Sequence, residues 1–224
     1  DGELADPAWQ DAAALGPFVT IEGRPAANAT VARVVRHNDT LFVAVTCPGS
    51  PGGRMEVRGT TRDSDVWTGE CIEVFLDPGP SLARYVHLMV NPDNVQRDES
   101  GDTTRVPLYD VGWDGAWRSA TARTESGWTC ELAIPLADLA LPPDAPALIG
   151  LNVCRNDTTS GELTCWSPTL SGFHVPVRFG LLSAPAAPVA WPLRLSTAGP
   201  EDPRPGRVEQ LVALANQHDR ALSL

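Results

Sequence analysis

The chain predicts an all-β fold, and two observations carry that prediction. Its 224 residues include 21 Pro and 19 Gly, set between short segments rich in Val, Thr and aromatic side chains, a distribution that bounds strands and breaks helices. In residues 63–79, "DSDVWTGECIEVFLDPG", the aliphatic Ile72, Val74 and Leu76 alternate with Cys71, Glu73, Phe75 and Asp77. A period of two gives a strand one face for a core and leaves the other for a different use. The length suits one substantial domain, alone or with an appendage.

Taken in order, residues 1–15 read as a short helical turn capped by Asp6, with Pro7 at its first position and Trp9 packing inward. After "FVTIE", residues 30–36 and 40–47 read as a hairpin with a short polar loop at His37-Asn38-Asp39-Thr40. "PGSPGGR" forces a turn before the strand at 71–77. In "ARYVHLMVNPDN", Val86, Leu88 and Val90 share one face, and Tyr85, His87, Met89 and Asn91 the other. If this strand neighbours residues 71–77, Glu73 and His87 or Met89 share the non-core face. "NPDNVQRDESGDTT" reads as a polar loop.

A second hairpin turns at residues 125–127 and points Trp128, Cys130, Leu132 and Ile134 inward; Pro135 ends it, and "LADLAL" is one helical turn. A third turns near residues 159–161, with Ile149, Leu151 and Val153 on one face and Asn152 and Cys154 on the other. "HVPVRFGLLS" is the closing strand, and the domain ends near residue 183. Residues 184–206 are a Pro- and Ala-rich linker or strap. Val208, Leu211, Val212, Ala215 and Leu222 then give residues 207–222 the period of a short amphipathic helix, which needs a surface to lie on.

The 28 acids outnumber 17 Arg, with no Lys, for a net charge of −11. That field repels nucleic acid and anionic membranes, and no apolar run is long enough to span a bilayer, whereas a neutral ligand feels no penalty. Five Cys leave at least one thiol unpaired within the chain, and no CxxC spacing marks a zinc site. Asn28, Asn38 and Asn156 lie in Asn-x-Thr glycosylation patterns. A first residue of Asp is read as the start of a piece excised or processed from a longer protein. Glu70 and Glu73, three apart in a strand, point to opposite faces and do not form a catalytic pair, and no GxSxG, HExxH or phosphate loop is present, so the chain is read as non-catalytic.

Six blocks in order, "DGELADPAWQDA", "VWTGECIEVFLDPG", "YVHLMVNPDN", "GWTCELAIPLADL", "IGLNVCRND" with "CWSPT", and "FHVPVRFGLL", resemble the family 9 carbohydrate-binding modules of the DOMON-like group over residues 1–183. The resemblance implies a sandwich of two antiparallel β-sheets. It further implies a saccharide, often a reducing end, held between two Trp. The matching positions are Trp67 and Trp166 for the clamp, Glu73 as hydroxyl acceptor, and Asn152 and Arg155 as further hydrogen-bonding groups. Where the family has an Arg on the strand after 71–77, this chain has His87 or Met89. Relatives also bind structural Ca2+, for which Asp63, Asp65, Asp93 and Asp98 are the candidate ligands here, with Asp77 and Asp102 as lesser ones; a solvated acidic loop is the plain alternative.

The parent is then a secreted or periplasmic, polysaccharide-active protein with a neighbouring catalytic domain. Two rivals remain open. One is a b-type haem domain of the same fold group, ligated by Met89 and His174; the other is a structural accessory that docks its neighbour through the linker and C-terminal helix. Trp9, Trp117 and Trp128 are assigned to the core. A disulfide between Cys154 and Cys165 across the third hairpin would put Asn152 and Trp166 on opposite faces, so both ideas hold only if a bulge intervenes. Buried free thiols are the alternative.

Overall fold

A computed structural model describes residues 1–10, 12–141, 147–184 and 211–213. A helical turn α1 (Pro7–Gln10) precedes β1 (Ala13–Leu15), β2 (Val19–Thr20), β3 (Val31–His37), β4 (Thr40–Pro48), β5 (Cys71–Pro78), β6 (Arg84–Val90) and β7 (Gln96–Asp102). There follow β8 (Tyr109–Asp110), β9 (Arg118–Thr124), β10 (Gly127–Pro135), β11 (Ala147–Asp157), β12 (Glu162–Cys165), β13 (Gly180–Ala184) and β14 (Leu211–Ala213).

The strands form two sheets. One has the order β1-β3-β4-β10-β9, and the other β14-β13-β11-β5-β6-β7-β8. The long β11 pairs with β5 on one side; on its other side Leu151 and the residues before it pair with β13, and Cys154–Asp157 with β12. Between the sheets, Ile72, Val74 and Leu76 of β5, Val86, Leu88 and Val90 of β6, and Ile149, Leu151 and Val153 of β11 join Val43, Val45, Leu132 and Ile134 in one core. Each such fully buried aliphatic side chain contributes about 1.5–3 kcal/mol. Trp117 and Trp128 belong to this core, while Trp9 packs with Val35 and Ala44 outside the first sheet.

Local chemistry fixes the turns. Asn38, at φ 51°, takes the left-handed position of the two-residue β3–β4 hairpin, where His37 pairs with Thr40. The buried Asp77 accepts from the Ser81 and Leu82 amides at 2.8 and 2.7 Å and so organises the β5–β6 turn, which accounts for its carboxylate without a metal. Asp157 does the same for the β11–β12 turn through Thr159 N at 3.0 Å.

Three expectations are corrected. The predicted polar loop contains strand β7, which pairs with β6 along its whole length; its Asp98 and Glu99 carboxylates are buried against partners, so polarity there does not mean solvent. The helical reading of residues 1–15 holds only for Pro7–Gln10, because Ala13–Leu15 join β3 as β1. Within the predicted C-terminal helix, Leu211–Ala213 instead form β14, parallel to β13, whose edge offers unpaired backbone groups that a strand satisfies. The rest of that helix, and the linker apart from residue 184, lie outside the described residues.

Arg155 is fully buried between the sheets' ends. Its Nε donates to Glu70 Oε1 at 2.8 Å, its Nη1 to Thr30 Oγ1 at 3.0 Å and the Pro48 carbonyl at 2.8 Å, and its Nη2 lies 3.3 Å from Asp157 Oδ1. Glu70 also accepts from Trp128 Nε1 at 3.0 Å and from Thr158 N at 2.9 Å. Removing one member of such a cluster strands the remaining charge in a dry interior. Arg155→Met is therefore expected to lower stability by about 3–5 kcal/mol, read by urea unfolding. Adding Glu70→Gln to that variant should cost less than the sum of the two single changes.

Candidate functional site

The outer face of the second sheet carries chemistry in three rows. Register sets Glu73 opposite Met89 and Met89 opposite Arg97; two residues along, Phe75 is opposite His87 and His87 opposite Glu99. Two residues further, Tyr85 faces Gly101 and Gly101 faces Tyr109. Glycine is required at 101, since a Cβ there would collide with the Tyr85 ring that lies across it.

The segment between β12 and β13 covers part of this face. Phe173 and Phe179 pack with Phe75, Tyr85, Cys154 and Cys165. What stays open is a cavity of about 410 Å³ with Glu73, His87, Met89, Arg97 and Glu99 along the strands, walled by Trp67, Tyr109, Val111, Leu163, Phe173 and His174. This size suits a small organic ligand. Trp67, in the short turn before β5, keeps 51% of its surface exposed, which for an indole beside a cavity leaves a flat face for a ligand. A second hollow, of about 650 Å³, adjoins across Tyr109 and has Arg84, Arg105 and Asp102 on its walls; it has no comparable exposed indole.

The buried His87 is held from both sides. Its Nε2 lies 2.8 Å from Glu73 Oε2 and its Nδ1 3.1 Å from Glu99 Oε1, while its ring stacks on Phe75 with centroids 4.0 Å apart. Carboxylates on both sides favour the form in which both ring nitrogens donate, the imidazolium. Burial opposes that charge, but the hydrogen bonds and charges of Glu73 and Glu99 outweigh it and raise the His87 pKa. For Glu99, burial is likewise outweighed, by the bond and charge of His87, and its pKa is lowered. His174 goes the other way: burial, then the charge of His87, hold it down to about 4, and its Nδ1 lies 2.8 Å from the Tyr85 hydroxyl.

Arg97 completes the polar set. Its Nη1 donates to Asp65 Oδ1 and the Asp63 carbonyl, both at 3.0 Å, and its Nη2 lies 3.6 Å from Glu99 Oε2. Its Nε is buried without a hydrogen-bond partner, and the residue lines the cavity.

Of the six ligand-binding residues expected from the sequence, the structure brings together Trp67, Glu73 and His87. Trp166 is a correction: it is 6% exposed and lies in the core between the sheets. The reason is register. Cys154 stands opposite Cys165, so the next residue, Trp166, faces inward while Asn152 faces outward; the two cysteines, like the other three, are buried thiols. Gly180 leaves room for the Trp166 ring, which a Cβ at that position would strike. Asn152 is a second correction, being buried and spent on Ser167, whose carbonyl it bonds at 2.9 Å and whose amide it accepts at 3.0 Å. Arg155 is the third, committed to the interior ion cluster.

Among the calcium candidates, Asp65 pairs with Arg97 and Asp93 with Arg123 at 2.7 Å. Asp63 and Asp98 do converge, with Asp114, to within 4.8 Å. Arg62 already supplies positive charge there, at 2.9 Å from Asp98 and 3.3 Å from Asp114, and Asp98 is further spent on Trp117 Nε1 at 2.7 Å. Three carboxylates suit calcium in kind, but as arranged they fit it only if Arg62 is displaced.

The sequence reading missed Arg97, Glu99, Tyr109 and Phe173 as neighbours of the site. Arg97, Glu99 and Gly101 alternate with Asp98 and Ser100, a period of two that was visible in residues 97–101 but masked by their polarity.

Residues 1–183 match the family model described as carbohydrate family 9 binding domain-like. No curated protein sequence matches. Solved structures share the fold at low identity. A Bacteroides uniformis protein provisionally described as carbohydrate-binding superposes with a TM-score of 0.67 at 15% identity, covering 82% of this chain and 92% of that one. A family 9 carbohydrate-binding module from Caldicellulosiruptor kristjanssonii in complex with glucose gives 0.60 at 18%, covering 82% and 88%. One from the same organism in complex with cellotriose gives 0.60 at 14%, covering 100% and 93%.

The two Trp should therefore part company in stability. Trp166→Ala is expected to cost about 3–5 kcal/mol in denaturant unfolding, and Trp67→Ala to change stability by no more than about 0.5 kcal/mol.

Proposed function

Since the chain belongs to the carbohydrate family 9 binding domain-like family, we propose that the cavity beside Trp67 holds a saccharide unit and that the chain is a non-catalytic binding module. The carrying observation is the pairing of an exposed indole with Arg97 and the Glu73 and Glu99 carboxylates along one cavity. A pyranose has an apolar C–H face for the indole and a rim of hydroxyls for the charged groups. With Trp166 in the core, a clamp of two Trp gives way to a cavity lined by Trp67 together with Tyr109, Phe173 and His174. His87 lies between the acids and orients them.

A terminal unit, including a reducing end, suits a cavity closed by aromatic walls. The natural setting of such a module is an extracytoplasmic, polysaccharide-active protein with a catalytic neighbour; among the described residues no helix is long and apolar enough to cross a membrane. Structural calcium enters this reading only at Asp63, Asp98 and Asp114, in place of the Arg62 guanidinium.

The haem reading keeps one observation in its favour, that Met89 and His174 line the same cavity. Absence of a Soret band after incubation with haemin would remove it. The docking reading depends on residues largely outside the described ones, and deletion from residue 184 onward separates it, sparing a sugar site and abolishing a docking role.

Calorimetric titration with glucose, cellotriose and borohydride-reduced cellotriose tests the saccharide proposal. Micromolar or weaker binding is expected, with Trp67→Ala weakening it about 5–150-fold, the equivalent of ~1–3 kcal/mol for one stacked ring. Arg97→Met should weaken it too. Unchanged affinity in both variants would contradict the site, and equal affinity for the reduced sugar would contradict the reducing-end preference.

A further inference from the structure

We propose that Glu73, His87 and His174 form a binding site for a divalent transition-metal ion of the zinc class at the floor of the cavity. One ligand atom from each lies within 4.8 Å of the others. A tetrahedral ion about 2.1 Å from each would draw them to about 3.4 Å, a shift within reach of side-chain rotation.

The surroundings are those that metal-binding histidines need. A ligating imidazole is held through its other nitrogen by a carboxylate, hydroxyl or carbonyl, which fixes both ring orientation and tautomer. Here Glu99 holds Nδ1 of His87 at 3.1 Å, and the Tyr85 hydroxyl holds Nδ1 of His174 at 2.8 Å. That leaves Nε2 of each ring as the nitrogen available to an ion. Glu73 Oε2 is already 2.8 Å from Nε2 of His87, so the ion takes the place of the proton between them.

The donor set decides the class of ion. Two imidazoles and one carboxylate suit zinc and its borderline neighbours, whereas calcium and magnesium take all-oxygen sites. All three ligands line the cavity, so the fourth position opens on it, to water or to a donor atom of whatever occupies the cavity. This site rests on its own side chains and not on the saccharide reading.

The test uses the full chain, stripped with chelator and titrated without sugar, with Zn2+ by calorimetry and Co2+ by visible absorption. One ion per chain is expected, with a Kd of about 10 μM or tighter and Co2+ bands of a four-coordinate site. His174→Ala should weaken zinc at least about 100-fold and Tyr85→Phe about 10-fold, while Asp114→Asn should leave it unchanged. Because His87→Gln risks the fold, Glu73→Gln serves as the second ligand variant, with thermal unfolding checked for each. No zinc binding below about 100 μM, or binding that survives both His174→Ala and Glu73→Gln, would overturn the proposal, as would zinc lost only on replacing His37 or His218. Glucose binding measured on the same stripped protein keeps the two readings apart: its presence without zinc overturns the metal site alone.

Discussion

The antiparallel register running from β11 through β5 and β6 to β7 is the constraint on which the rest depends. Because side chains alternate across a strand, one choice of register sends Ile72, Val74, Leu76, Val86, Leu88 and Val90 into the core and lines up Glu73, Phe75, His87, Met89, Arg97 and Glu99 on the other side. A slip of one residue would invert both sets at once, burying the acids among aliphatic groups. The apolar face therefore fixes the geometry of the polar one. The same ladder extends to β12, where the pairing of Cys154 with Cys165 determines that Trp166 turns inward.

Burying charge is costly, and this chain meets the cost in two ways. Arg155 with Glu70 and Asp157 is a cluster closed off inside the protein, its Nη2 lying 2.8 Å from Glu70 and 3.3 Å from Asp157 though it makes no hydrogen bond. The group around His87 is satisfied only from the sheet side and faces a cavity, with Arg97 and an exposed indole nearby. Both are buried ion clusters by composition. Their difference lies in access, which is why one holds the sandwich together and the other is the candidate site.

Much of the fold was legible from residue pattern. The aliphatic alternation at 72–76, 86–90 and 149–153 named the inner face of the second sheet, and the hairpins at Asn38, Glu125 and Thr159 followed from turn residues. Strand β7 was not legible, because a run such as "QRDESGD" earns its place by pairing Asp98 with Arg62 and Trp117, and Glu99 with His87, partners distant in sequence. The site divided along the same line. Trp67 and Glu73 could be read from one local stretch, whereas Trp166 was misassigned because its facing depends on the β11–β12 register, and Arg155 and Asn152 because they are committed to Glu70 and Ser167, partners distant in sequence. Family resemblance supplied residue types for the clamp but not the packing that turns one Trp outward and another inward.

The central claim is that ligand meets this chain at Trp67 and Arg97 on the outer face of the second sheet. It is tested most directly by following the indole Nε1–H and guanidinium Nε–H signals in 1H–15N spectra during titration with cellotriose. The account predicts that the Trp67 and Arg97 signals move together and saturably, while the Trp166 and Arg155 signals, locked in the interior, stay in place. Saturable shifts at Trp166 or Arg155 with Trp67 and Arg97 silent would contradict it.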